Sequence, residues 1–257
     1  MDHKKKRRSV VIAALVLCLA AVTGLGTLAW MTAQDSATNA FTLGNFSDPD
    51  KEPDPENPEQ GDTDGDENLD GYLTETKWVK DSKLYEDAEI AKNPNVGIGK
   101  GSDDAYIFVY VDNNMTTSDS DTAANSPYFT INENWAPVEG YVQEGSTTLD
   151  EGATKTYTGG LFVYTGGTGA DPAILEATDS DAIEGTNPDV YTGELFSEVV
   201  VPDDANFDKY ATSPTMNVYA LLYSVQYSDG TPVESGDGSA AAAVEYAKTW
   251  NPTQAGA

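Results

Sequence analysis

Five oxygen-bearing side chains at alternate positions, Asp62, Asp64, Asp66, Asn68 and Asp70, are the residues best suited by type and spacing to chemistry. Ca²⁺ takes about six to eight oxygen ligands, and a loop offering oxygens at every second position wraps one ion. Asp66-x-Asn68-x-Asp70-Gly71 follows the first half of an EF-hand loop, glycine included, and Leu73 is apolar where that loop has an apolar residue. The second half departs, because Lys77 stands where the closing bidentate Glu belongs and no flanking helices are evident. The stretch therefore reads in two ways, as a Ca²⁺ site or as a solvated acidic linker. Other chemistries fall away by residue type. The one histidine, His3, and the one cysteine, Cys18, both lie in the first 18 residues. No Ser-His-Asp or Cys-His arrangement is available downstream, and no zinc site with His or Cys ligands. Gly97-Ile98-Gly99-Lys100-Gly101 lacks the Ser/Thr after Lys and a following helix, so it reads as a turn and not a phosphate loop. The carboxylates are many, and no pair stands out for acid/base work. The expectation is a protein that is not an enzyme, with Ca²⁺ as the one cofactor its residues suggest.

The charge points the same way. The chain carries 14 basic and 43 acidic residues, a net −29 at neutral pH. Such a chain repels nucleic acid and anionic membranes and attracts cations. The plain alternative is that the acidity keeps the protein soluble.

The N-terminus sets the compartment. Lys4-Lys5-Lys6-Arg7-Arg8 precedes an apolar run from Val10 to Val22, then Thr23-Gly24-Leu25-Gly26-Thr27-Leu28-Ala29. A basic region, an apolar region and a small-residue exit are the three parts of a secretory signal peptide. The run is shorter than the ~20 residues of a spanning helix. Residues 1–29 are read as a signal cleaved between Ala29 and Trp30; a retained anchor is the alternative, and only that uncleaved segment would touch a membrane. Its loss removes five basic residues and one acidic one, taking the net charge from −29 to −33. Cys18 follows Leu17, too large for the small residue of a bacterial lipidation motif.

Residues 30–46 form an N-terminal strand segment, in which Phe41, Leu43, Ala37 and Asn39 alternate. Residues 47–71 are read as a disordered acidic linker: Pro49, Pro53, Pro55 and Pro58 forbid a helix or an inner strand, and like charges extend the segment. Residues 72–257 form the body, which reads as β. Ala105–Val111, Tyr128–Ile131, Leu161–Tyr164, Leu195–Val201 and Met216–Tyr227 are dense in β-branched and aromatic residues. In the last, Val218, Ala220 and Leu222 share one face and Tyr219, Leu221, Tyr223 and Val225 the other, the pattern of a central strand covered on both sides. Asn113-Asn114, Gly159-Gly160, Gly166-Gly167-Thr168-Gly169 and Ser228-Asp229-Gly230 read as turns. Ala240–Trp250, Ala-rich and stopped by Pro252, is the one good helix. The predicted class is mainly β, a sandwich or jelly roll with a short C-terminal helix.

The exit motif resembles a known family. Gly26-Thr27-Leu28-Ala29, Trp30-Met31, Asp35 to Asn39 and Phe41-Thr42-Leu43-Gly44-Asn45 are similar to the start of the TasA/camelysin-like proteins of Gram-positive bacteria, exported through a SipW-type signal peptidase; Met31 departs from the family's second aromatic. Lys92-Asn93-Pro94-Asn95-Val96, Asp104 to Val109, Glu194-Leu195-Phe196 with Val199 to Pro202, and Tyr219 to Gln226 extend the resemblance more loosely. It implies a jelly-roll or Ig-like β-sandwich, secreted or held at the cell surface. It also implies assembly into biofilm-matrix fibres by donor-strand exchange, with Phe41 and Leu43 in the donor strand. The other reading of Phe41-Thr42-Leu43 is the first strand of the chain's own sandwich.

Three functions follow as expectations. The first is a secreted structural protein of the cell surface or biofilm matrix, with self-association or matrix proteins as partners. The second is a surface adhesin, with Trp78, Trp135, Tyr141 and Tyr157 able to stack on sugars or peptides. The third is a camelysin-like metallopeptidase, which the missing histidine disfavours.

Overall fold

The computed structural model describes residues 32–40, 42–43, 71–79, 82–99, 102–117, 125–145, 155–178 and 189–252. Residues 1–29, read as a signal, the expected cleavage point Ala29/Trp30, Phe41 and the alternating Asp62, Asp64, Asp66, Asn68 and Asp70 all lie outside them.

Alternating and continuous apolar runs give strands nearly everywhere. In chain order these are β1 (Thr32–Ala40), β2 (Thr42–Leu43), β3 (Gly71–Thr74), β4 (Lys83–Leu84), β5 (Glu89–Ala91), β6 (Asn95–Ile98), β7 (Ala105–Asn113), β8 (Trp135–Glu144), β9 (Tyr157–Tyr164), β10 (Ile174–Leu175), β11 (Val190–Tyr191), β12 (Glu198–Val200), β13 (Thr215–Ser224), β14 (Tyr227–Ser228) and β15 (Thr231–Pro232). One α-helix, α1 (Ala240–Thr249), lies among the described residues. The fold is mainly β.

The main sheet runs β1-β13-β7-β9-β8, with β10 also paired to β7. Both its faces are covered. Ala105, Ile107, Val109 and Val111 of β7 and Met216, Val218, Ala220 and Leu222 of β13 enter the larger core, with Ile90, Val96, Ile98 and Val199 from the small sheets β11-β6-β3 and β12-β5. Tyr106, Phe108, Leu161, Val163, Leu221 and Tyr223 enter the second core, closed by Ala243 and Ala247 of α1. The two-faced pattern read from Met216–Tyr227 is thus realised: β13 lies between β1 and β7. Full burial of a large apolar side chain contributes about 1.5–3 kcal/mol, so these two cores carry the stability.

Four local readings are corrected. Gly159-Gly160 is not a turn but part of β9, where β8 bulges between Pro137 and Val142. Gly160 has φ +115°, and a Cβ there would meet the Val142 Cα at 2.4 Å, so glycine serves close backbone approach beside the bulge. Gly97-Ile98 is likewise strand, because Ile98 is wholly buried and both residues pair with β3 and β11. Tyr128–Ile131 forms only isolated bridges, Tyr128 to Val200 and Phe129 to Tyr157. Phe129 leaves the regular ladder to stack on Phe196, with ring centroids 4.2 Å apart. Only Glu198–Val200 of the Leu195–Val201 run is strand, since Leu195 N–H donates to the Pro94 carbonyl in an irregular connection. Ser228-Asp229-Gly230 does turn: Asp229 (φ 54°) and Gly230 (φ 77°) join β14 to β15 in a two-residue hairpin with both central residues left-handed.

Candidate functional site

The main sheet treats its two edges differently. β8 is blunted by Pro137, the bulge, Gly140 at φ +78° and the carboxylates Glu139 and Glu144, devices that discourage further strand addition. β13 has none of these. Its residues from Ala220 to Ser224 are all buried, and both faces are apolar. A bare β13 would be a long unpaired apolar edge, so a strand must cover it.

β1 is that strand. It pairs antiparallel with β13 in continuous register from Thr32 opposite Tyr223 to Ala40 opposite Thr215. Ala33, Asp35, Ala37 and Asn39 fall opposite Leu222, Ala220, Val218 and Met216, the β13 residues of the larger core. Thr32, Gln34, Ser36 and Thr38 fall opposite Tyr223, Leu221, Tyr219 and Asn217. The sequence Thr-Ala-Gln-Asp-Ser-Ala-Thr-Asn-Ala holds no large apolar residue. Its attachment therefore relies on backbone hydrogen bonds. The parity that joins Ala37 and Asn39 is the alternation expected from sequence. Of the two expected donor-strand residues, Leu43 lies in β2, paired in parallel opposite Leu84, while Phe41 falls outside the described residues.

A second element brackets the slot. β3 starts at Gly71 against the core side of β13, where a Cβ would sit 2.1 Å from Leu222 Cδ2. A side chain there would push Leu222 aside, so glycine lets the chain enter the body close to β13. Leu222 is opposite Ala33, at the start of β1, whereas Leu43 lies past its end.

The aromatic residues expected to be free for stacking are mostly structural. Trp78, Trp135 and Tyr157 are 6%, 4% and 3% exposed, and only Tyr141, at 46%, is open. Trp135 Nε1–H donates to the Gly193 carbonyl and its ring meets Tyr164 edge-on. A shallow groove of about 630 Å³ is lined by Thr130, Ile131, Asn132, Glu133, Asn134 and Glu194, with no aromatic platform. Among the described residues, no group of three or more His, Cys, Asp or Glu could hold a metal ion. No described helix is long and apolar enough to cross a membrane.

Sequence reasoning missed a polar cluster beside β3. Glu194 accepts from Lys77 Nζ (2.7 Å), Ser197 Oγ (2.8 Å) and Asn93 Nδ2 (3.2 Å). Burial alone would raise its carboxyl, but these donors outweigh it and hold the group below the usual carboxylate range. Next to it, Lys92 is wholly buried against Glu75. A lone lysine carries no sequence signal of burial; only its pairing with Glu75 and Trp78 in space reveals it.

No protein-family model, no curated protein and no solved structure matches this chain.

Proposed function

We propose that the chain is a secreted structural protein of the cell surface or biofilm matrix, with a jelly-roll or Ig-like body that assembles by exchange of its N-terminal strand. The observation that carries this reading is the seat of β1. A strand of small and polar residues covers an otherwise apolar edge. β1 is also the first strand among the described residues. Once a signal ending at Ala29 is removed by a SipW-type peptidase, nothing precedes it but Trp30 and Met31, so it leaves one sheet and enters another without threading. The same register then forms between copies, and a head-to-tail contact of this kind extends into a filament because it does not close. The acidic repeat Asp62 to Asp70 lies between β2 and β3 in the sequence and offers oxygens of the type that Ca²⁺ takes.

The test is negative-stain electron microscopy of residues 30–257 beside residues 46–257, each with Ca²⁺ and with chelator. Filaments from the longer chain alone are expected. Monodisperse particles from the longer chain at high concentration would make β1 a permanent part of its own sheet and move the reading to a monomeric surface-binding module.

A further inference from the structure

The least ordinary pair in the body is Lys92 with Glu75. Lys92 Nζ lies 2.5 Å from Glu75 Oε1, with side-chain exposures of 0% and 6%. The Trp78 ring covers the amine, its centroid 5.0 Å from Nζ, and Trp78, Leu84, Ala88 and Ile90 belong to the same apolar cluster. Removing two charges from water costs several kcal/mol per ion, which the attraction of a buried pair only partly offsets. Burial pushes the Lys92 ammonium below the usual lysine range, against the opposing pull of Glu75. A lysine desolvated in an apolar pocket is an activated nucleophile, and two groups held in contact react with very high effective concentration.

We propose that Lys92 and Glu75 condense into an intramolecular isopeptide bond. The ammonium first passes a proton to the carboxylate within the pair, leaving a neutral amine and a carboxylic acid. The Nζ lone pair attacks Cδ of Glu75 and the C–N bond forms. The C–O bond to the hydroxyl breaks, and that oxygen leaves as water with a proton from nitrogen. Nothing is oxidised or reduced, and no co-reactant is needed. A buried ion pair becomes a neutral amide, which relieves the cost of holding two charges out of water.

The position gives the bond a use. Glu75 is four residues past Gly71, where the chain enters the body, and Lys92 directly follows β5. In a fibre held by exchanged strands, tension arrives at Gly71, and the amide passes it across to β5 without unzipping β3. This mechanical role rests on the proposed assembly; the bond itself does not.

The experiment is intact mass spectrometry of the folded full-length chain after prolonged incubation, followed by peptide mapping. The expected result is a mass about 18 Da below that of the sequence, one water lost in the acyl transfer. The map should then yield a branched peptide joining residues 75 and 92. Lys92→Met and Glu75→Met should each keep the full mass, with folding checked by circular dichroism. A wild-type chain of full mass overturns the proposal. So does a water loss that maps to an Asp-Gly step such as Asp229-Gly230, which marks a succinimide. The mass is read on monomer and filament fractions alike, so failure of assembly and absence of the amide are told apart.

Discussion

Gly160 and Gly140 separate two reasons for a glycine. Both have positive φ, +115° and +78°. At Gly140 an added Cβ meets nothing within 4 Å, whereas at Gly160 it runs into the backbone of Val142 and Tyr141 at 2.4 and 2.5 Å. Gly140→Ala should therefore cost only the left-handed strain, about 1 kcal/mol. Gly160→Ala must also move β8 off β9, and should cost about 2–4 kcal/mol. Urea unfolding of the two variants measures the difference; equal midpoints would mean that the bulge absorbs the side chain. Ser239 makes a second residue-scale case. Its Oγ accepts from Ala242 N–H at 3.3 Å and caps α1, while the residue itself is 1% exposed. Ser239→Ala should destabilise by about 1 kcal/mol in the same assay.

At the scale of elements, β1 and α1 do opposite work on β13. The helix seals the outer face through Ala243 and Ala247 against Leu221 and Tyr223, and apolar area holds it there. β1 seals an edge, and its small residues leave the backbone ladder as the main attachment. In an antiparallel pair, neighbouring residues alternate between N–H groups aimed at the partner and aimed away. Proline removes the N–H, so Ser36→Pro and Ala37→Pro should behave differently. One should lower the thermal midpoint and abolish filaments; the other, its nitrogen facing outward, should be tolerated. If both variants are as stable and as assembled as the parent, β1 is not held by β13. The element boundaries that sequence misplaced all lie where an aromatic or a glycine meets a partner far along the chain. Phe129 is drawn out of its ladder by Phe196, and Gly160 is held in a strand by the β8 bulge.

For the whole molecule, pH acts through buried tyrosines. Burial, then the bonds to Asp189 and Tyr191, raises the Tyr72 hydroxyl, which donates to Asp189 Oδ2 at 2.6 Å. Burial and the nearby Asp204 raise Tyr210, and burial with the bond to Asp104 raises Tyr227. A group whose folded pKa exceeds its unfolded value keeps its full contribution below the unfolded value, ~10 for tyrosine, and loses it as pH rises through the folded one. Stability should thus be insensitive to these groups below about pH 9 and fall steeply above ~10. Denaturant midpoints across that range, read with tyrosinate absorbance, check the sign: a midpoint that rises there would contradict it. Glu194 acts at the other end. Its lowered carboxyl stabilises the fold above the ordinary carboxylate range, and that contribution is lost as the pH falls through the lowered value.

What the sequence by itself determined was local and compositional. The β character, the helix before Trp250, the two-faced run at Val218–Val225 and the confinement of the one His and the one Cys to the first 18 residues are all legible in residue type and period. These need only nearest neighbours and the alternation of side chains along a strand. The tertiary structure alone decided which strand covers β13, that Trp78, Trp135 and Tyr157 are core residues, and that Lys92 meets Glu75. Each of these depends on pairings between residues far apart in the chain, set by burial and backbone hydrogen bonding across the sheet. No short window of sequence contains both members of such a pair, so periodicity carries no trace of it.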